Sequence, residues 1–583
     1  MIPYSPARLI RAIITLTDQS RVVDNRPSLE VIEQVPHAVN LDALIRREDF
    51  EVAVDPSKKI EALDTADKLK IIELEHDSLM YKLLRKPDFQ RTTAHWKPEK
   101  VAALIKSFLA GDLIPALILW RSNASGNIFV IDGAHRLSAL IAWVHDDYGD
   151  RDISTRFFEG NVVPEQKAAA EDTRKITNNL VGSYTEVKHT PNPTPERAKY
   201  VSTLAAGGVT LQWVKGDASS AERSFHTINT EQTPIGELEV RLIRDRRCPN
   251  AISTRALVRA GTGQYFASSL AEDNKARIRA IAKEIYDDLF IRPLETPIKT
   301  LDLPVAGRSY TSDSVELILD FVEFVNKRAV SIDGLSPSTA RRRGQKNDIL
   351  VPTMNEDVDG SATVELLTNV RRVSSRIAGT SPGSLGLHPA VYFYSATGNY
   401  QPTAFLAAIS FIEDLIKRQK LDLFTEYRYT FEELLLKYKY FINQIGRKYG
   451  SGTRGLTALT RLYEYLFTGV VAGKTDVEIV PELLEDARLK FLVPIVDHDK
   501  GTKKNFTTER KSAIFLRQAI EGAPRCGICE ARVHKGSITI DHIKRISDGG
   551  KGSINNGQIA HPYCNTTYKE QEHAATSQAQ IDG

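Results

Sequence analysis

The tightest constraint on this chain is a set of four soft ligands near its C-terminal end, Cys526/Cys529 and His561/Cys564, each pair spaced x-x. Two side chains from one tight turn reach the same ion, and a closed Cys3His set fits tetrahedral structural zinc with no open position for water. Such a staple suits a segment too short to bury a core by itself. Three of only four cysteines in 583 residues sit here, and an intracellular chain keeps thiols reduced. Zinc is the expectation. The alternatives are disulfide pairing, or His561 serving a catalytic metal with no zinc bound.

Between and after these pairs run Ile540-Asp541-His542-Ile543, Gly549-Gly550, Asn556 and Asn565. Phosphodiester hydrolysis needs a base to deprotonate water and a divalent cation to neutralise charge on the phosphate and the leaving oxygen. His542 supplies an imidazole that titrates near neutral pH. Asp541 and Asn565 offer the hard oxygens that Mg²⁺ or Mn²⁺ prefers. Taken together, from Asp541 to Asn565, the order resembles the HNH nucleases in their zinc-stapled, McrA-like form. One position departs from that pattern, His561, where the family usually has Cys. The resemblance implies a ββα-metal fold, the same roles for His542, Asp541 and Asn565, and Asn556 as the residue holding the loop that orients His542.

Charge agrees with a polyanionic substrate. Residues 500–569 carry thirteen Lys or Arg against five acids, a surplus of eight in a chain whose net charge is +3. A basic field around these residues is what an approaching nucleic-acid backbone requires. The alternative, a solvated basic face, does not account for its coincidence with the motif. With 42% hydrophobic and 26% charged residues the chain reads as globular. No apolar run approaches the length of a membrane span, and the N-terminus lacks a cleavable signal pattern. A cytoplasmic protein with no membrane partner is expected.

A second informative region lies near the N-terminus. Phe89-Gln90-Arg91 and Trp96 precede a helix predicted over Pro98–Leu109, strands predicted over 114–120 and 127–131, and the turn Asp132-Gly133-Ala134-His135-Arg136. Strand, glycine turn and helix present backbone N–H groups to an anion. Asp132 would cap the helix or bind a cation, and Arg136 would fork onto phosphate. The alternative is a turn that merely caps a helix. Gln90 and Arg91, beside an apolar core, are costly to bury without a polar or anionic partner. Further on, Phe225-His-Thr-Ile-Asn229-Thr230 places an amide and a hydroxyl that either join this turn or end a strand. Over roughly residues 30–260 these features resemble the N-terminal domain of GmrSD-type restriction proteins and SspE-type sensors of phosphorothioated DNA, in the ParB/sulfiredoxin-like group. In those relatives the turn usually reads D-G-Q-Q-R. Here Ala134 and His135 approach the DGQHR form of DndB-like proteins, and the lack of a Cys excludes sulfiredoxin chemistry. The resemblance implies binding of an NTP, and its hydrolysis, at Gln90, Arg91, Asp132, Gly133, His135, Arg136 and Asn229.

The middle of the chain reads as helical. Thr430-x-x-Glu433 forms a capping box before Leu434, Leu435, Tyr438, Phe441, Ile442 and Ile445, and further helices are predicted over 275–290, 313–327, 403–418 and 456–468. Loops are predicted at 336–347, which contains Arg341-Arg342-Arg343, and at 379–386. The expected class is α+β, largely helical. The expected domains are an N-terminal segment (1–30), a GmrSD/ParB-like sensor or NTPase domain (31–260), a helical domain (261–500) and an HNH domain (501–583). The corresponding function is a metal-dependent endonuclease that cuts double-stranded DNA, modified DNA included, in defence against phage, regulated by DNA modification or by nucleotide. A second copy is needed for a double-strand break, so a homodimer is one expected state. Competing readings are a DNA-binding regulator with a scaffold HNH module and a mobile-element homing nuclease.

Overall fold

The computed structural model describes residues 38–48, 66–87, 90, 93, 96–158, 160, 162, 164–191, 193–231, 237–262, 270–291, 294–309, 312–326, 354–450, 452–494 and 505–571. Arg91, the segment 1–30 and the loop 336–347 lie outside these residues.

The N-terminal part is built on a mixed sheet of six strands: β1 (Arg46–Glu48), β2 (Lys68–Leu69), β3 (Leu84–Pro87), β4 (Leu117–Arg121), β5 (Ile128–Asp132) and β6 (Val209–Val214), in the order β1-β3-β5-β4-β6-β2. The hairpin β4–β5 is antiparallel, and β3 and β6 extend it as parallel neighbours. Side-chain alternation divides the central strands between two cores. Leu117, Leu119 and Val130 join the helices Pro98–Ala110 and Ala134–His145, while Trp120, Phe129 and Ile131 face Phe225 and Ile243. Pro98 opens its helix and Gly111, with φ 76°, closes it, the asymmetry expected of proline and glycine at helix ends.

A single apolar core runs from Ile252 to Tyr563 through a helical array that includes Glu272–Phe290, Ser361–Ile377, Pro402–Lys417, Leu421–Lys437 and Thr453–Val471. This core takes in the helix Pro249–Val258, so packing places the start of the helical part ahead of residue 261. One expectation fails. Thr430 and Glu433 do not start a helix, because Leu421–Lys437 begins nine residues earlier and the capping-box spacing falls in its interior. Burial of Phe424 and Phe431 and a fully buried Arg428–Glu432 pair carry the helix through that point, an instance of tertiary contacts overriding a local signal. Asn229 is likewise not at a strand end or turn: its backbone belongs to the helix Ala218–Glu231.

The C-terminal module follows the helix Thr508–Glu521. It comprises a cysteine knuckle, the antiparallel hairpin β7 (Thr539–His542) and β8 (Gly557–Ala560), and a last helix widened to π geometry over Cys564–Tyr568. Among the described residues no helix is long and apolar enough to cross a membrane.

Candidate active site

Cys526, Cys529, His561 and Cys564 converge, all buried, with their ligand atoms within 4.8 Å of one another. All three cysteines are free thiols, which removes the disulfide alternative. The imidazole is aimed: Nδ1 lies 3.4 Å from the Cys529 sulfur and 3.7 Å from that of Cys564, while Nε2 lies 3.0 Å from the Arg532 carbonyl. A ligating histidine is oriented in this way by a carbonyl on its other ring nitrogen. The Cys529 and Cys564 thiols donate to Cys526 and hold it ionised, and that bond in turn pushes Cys529 up to about 12. The donor set therefore fits zinc, whose charge favours thiolates at all three positions.

The knuckle leans on the hairpin. Gly527 donates to the Ile559 carbonyl at 2.7 Å, and a Cβ at Gly527 would lie 2.2 Å from Oε1 of Gln558. Gln558 pairs across the hairpin with Asp541 and donates to its carboxylate at 2.8 Å. From the other side the Lys569 ammonium contacts both Asp541 oxygens, at 2.9 and 2.8 Å, and also the His542 carbonyl. Asn565, one turn before Lys569, donates to the Ile540 carbonyl and the Thr539 hydroxyl at 3.4 Å. The structure thus gathers Asp541, Asn565 and Lys569 where the last helix meets β7.

His542 ends β7 half-buried, and strand alternation sends it to the face shared with Ile540, opposite the face of the 4% exposed Asp541. The loop after it is pinned by Asn556. That side chain accepts from the Lys544 N–H at 2.7 Å and donates to the carbonyls of Lys544 and Lys551, while its own carbonyl receives the Ile543 N–H. Hard oxygens on Asp541 and Asn565 suit a divalent ion, although such an ion must share Asp541 with Lys569.

The N-terminal turn is built differently from the sequence expectation. Gly133 itself is the N-cap of Ala134–His145, at φ 92°, and Asp132 does not cap. Asp132 instead accepts from Arg136 at 2.8 Å, and Arg136 also donates to the Ala116 carbonyl at 3.1 Å. The guanidinium is thereby turned toward the protein, although its Nε has no hydrogen-bond partner among the described residues. His135 stacks on Trp96, with ring centroids 5.6 Å apart. Gln90 is buried beside the end of β5, its amide nitrogen 3.3 Å from the Val130 carbonyl and its Oε1 unpartnered among the described residues. Only the backbone of Asn229 is described, within its helix.

Comparison with known proteins assigns both ends. Residues 70–244 match the model of the GmrSD restriction endonuclease N-terminal domain, and residues 526–571 match that of the HNH endonuclease. The chain joins a GmrSD-type N-terminal domain to an HNH endonuclease domain. These domains support a DNA-hydrolysing enzyme working in restriction, with DNA as its substrate class. No curated protein and no solved structure matches the chain.

Two residues of the HNH domain escaped the sequence reading. Lys569 follows Asn565 by four positions, a spacing that puts side chains on one helical face, but it counted there only as charge. Gln558 had no readable signal, because its place opposite Asp541 depends on the hairpin register.

Proposed function

We propose that the protein is a Mg²⁺- or Mn²⁺-dependent HNH endonuclease with a structural zinc, acting in defence on modified DNA or under nucleotide control. The observation that carries this reading is the meeting of Asp541 and Asn565, 24 positions apart in sequence, at the seam between β7 and the last helix. Asp541 and Asn565 would hold one divalent ion, which when bound neutralises charge on the phosphate and the leaving oxygen. His542 accepts the proton of the attacking water, in line with the leaving oxygen, from the open face of the hairpin. Asn556 keeps the loop after His542 in one conformation, and Cys526, Cys529, His561 and Cys564 hold zinc for folding alone. An active site of this kind cuts one strand, so a double-strand break takes two copies.

In the GmrSD-type domain, Gln90, Arg91, Asp132, Gly133, His135, Arg136 and Asn229 are proposed to form a nucleotide or anion site. The unpartnered Gln90 Oε1 and Arg136 Nε support a polar ligand there, and the Asp132–Arg136 pair implies that Arg136 must release Asp132 to grip a phosphate. The proposed domain limits are those read from the sequence, with the helical part starting near Pro249.

Supercoiled plasmid with Mg²⁺ tests the enzyme reading. Wild-type protein is expected to nick or linearise it, on plain, glucosylated or phosphorothioated DNA and with or without ATP, GTP or CTP. His542→Ala should fall by about 10²- to 10⁴-fold, the usual contribution of a general base. Equal survival of every substrate with both proteins would end the proposal.

A further inference from the structure

Four of the large apolar side chains most exposed among the described residues crowd onto residues 540–554 of the HNH domain: Ile540 at 64%, Ile543 at 56%, Ile546 at 70% and Ile554 at 97%. Ile540 shares the open face of β7 with His542. Ile543 and Ile554 are tied together through Asn556, whose carbonyl receives the Ile543 N–H and whose 3₁₀ turn begins at Ile554. Ile546 opens a second short turn, Ile546–Asp548. The loop is held in place by the three Asn556 side-chain bonds already described, so its isoleucines are displayed by a fixed backbone.

We infer that these four isoleucines form an apolar wedge that enters the minor groove of duplex DNA and unstacks it beside the scissile phosphate. The inference rests on the endonuclease reading and adds how that site deforms its substrate. Exposed isoleucine has no favourable interaction with water, so a clustered set on a pinned loop marks a contact surface. Charge selects the partner. Lys544 and Lys551 are exposed on the same loop, Arg545 is held by Glu570 at 2.9 Å, and Asp548 is the loop's only acid. Apolar wedges flanked by cations fit DNA, where the cations meet phosphates and the wedges enter between base steps. A second copy of this chain would bring two basic faces together, a repulsive arrangement. The position next to His542 gives the wedge a purpose, because a kinked step exposes its phosphate to the imidazole.

The test uses full-length His542→Ala protein, which binds without cutting, and duplexes carrying 2-aminopurine in place of adenine, prepared plain and phosphorothioated. Binding should raise 2-aminopurine fluorescence, and adding Ile546→Ser and Ile554→Ser to the same protein should abolish that rise. Both substituted positions are solvent-exposed, and unchanged zinc content and melting temperature check that the fold is intact. In the cutting-competent protein the same double substitution should slow cleavage of intact duplex by about tenfold while leaving a duplex mismatched at the cut step cut at the wild-type rate, because unstacking is already done there. Binding without a fluorescence rise, an equal loss on intact and mismatched DNA, or a change of oligomeric state with the serine variants would each overturn the wedge. A fluorescence rise from a protein that never cuts DNA would keep the wedge and overturn the nuclease reading, so the two failures are distinct.

Discussion

Asp541 is the residue on which the HNH chemistry turns, and it already has a cation. The Lys569 ammonium touches both of its oxygens, while the carboxylate is only 4% exposed. A unit charge held a few ångströms from a bound ion costs on the order of 1 kcal/mol or more even at an effective dielectric well above that of a dry interior. Lys569→Met should therefore tighten Mn²⁺ binding by about tenfold, read by calorimetric titration of zinc-loaded protein. Unchanged affinity would mean that Lys569 leaves Asp541 when a cation arrives. Gly133 shows the same economy of space elsewhere. At φ 92° a Cβ would come within 2.4 Å of Leu117, so the tight turn between β5 and the following helix admits little else.

At the scale of elements, the knuckle and the helix Ser312–Val325 make separate predictions. Cys526→Ser should remove about one equivalent of zinc and open the knuckle to proteolysis near Arg525 while the helical core keeps its melting transition, because structural zinc contributes folding energy to its own module. Retained zinc together with an intact knuckle would show that these four residues are not its ligands. In the helix, burial together with Glu316 and Glu323 pushes Asp320 up to about 7, against the ordinary carboxylate range. The folded state then binds a proton that the unfolded state has lost, so stability falls as pH rises from about 4 to about 7. Asp320→Asn should match wild type near pH 4 and exceed it by about 1 kcal/mol at pH 8, a figure already reduced for solvent screening of a partly exposed group. Denaturant unfolding at the two pH values reads the difference.

At the scale of the whole molecule, the HNH domain is docked rather than tethered. Glu432, paired with the buried Arg428, accepts from the Arg532 N–H, and Glu433 takes the guanidinium groups of Arg525 and Arg532. Tyr563 donates its hydroxyl to Asp422 at 2.7 Å and its N–H to the Ser384 carbonyl. The loop 379–386, which by composition reads as a connector, is one wall of this seam: a Cβ on Gly386 would lie 2.6 Å from Ser537. Arg428→Ala leaves Glu432 buried without its partner and should destabilise the helical core by about 3–5 kcal/mol. Replacing both by Met and Leu should recover most of that loss, since a buried pair is often exchangeable for well-packed apolar residues. Denaturant midpoints distinguish the two outcomes.

What the sequence determined by itself is what covalent spacing controls. The x-x pairs, the Asp-His dipeptide with its downstream asparagines, and the glycine turn after β5 each act through neighbours on one turn or one hairpin, so their chemistry is legible in the order of the residues alone. Alternation and helical period also located the central hairpin and most of the long helices. The capping-box start at Thr430 and the strand-or-turn reading of Asn229 failed because local propensity is weak beside the burial of an entire helical face. Only the tertiary structure decided that Arg136 faces Asp132, that Gln558 and Lys569 hold Asp541 from two sides, and that the HNH domain is seated on the helical core. For the last of these the contacts join residues about a hundred or more positions apart, such as Tyr563 with Asp422 and Arg532 with Glu433. Burial and ion pairing at that range depend on which surfaces the folded chain brings together, a property no local pattern encodes.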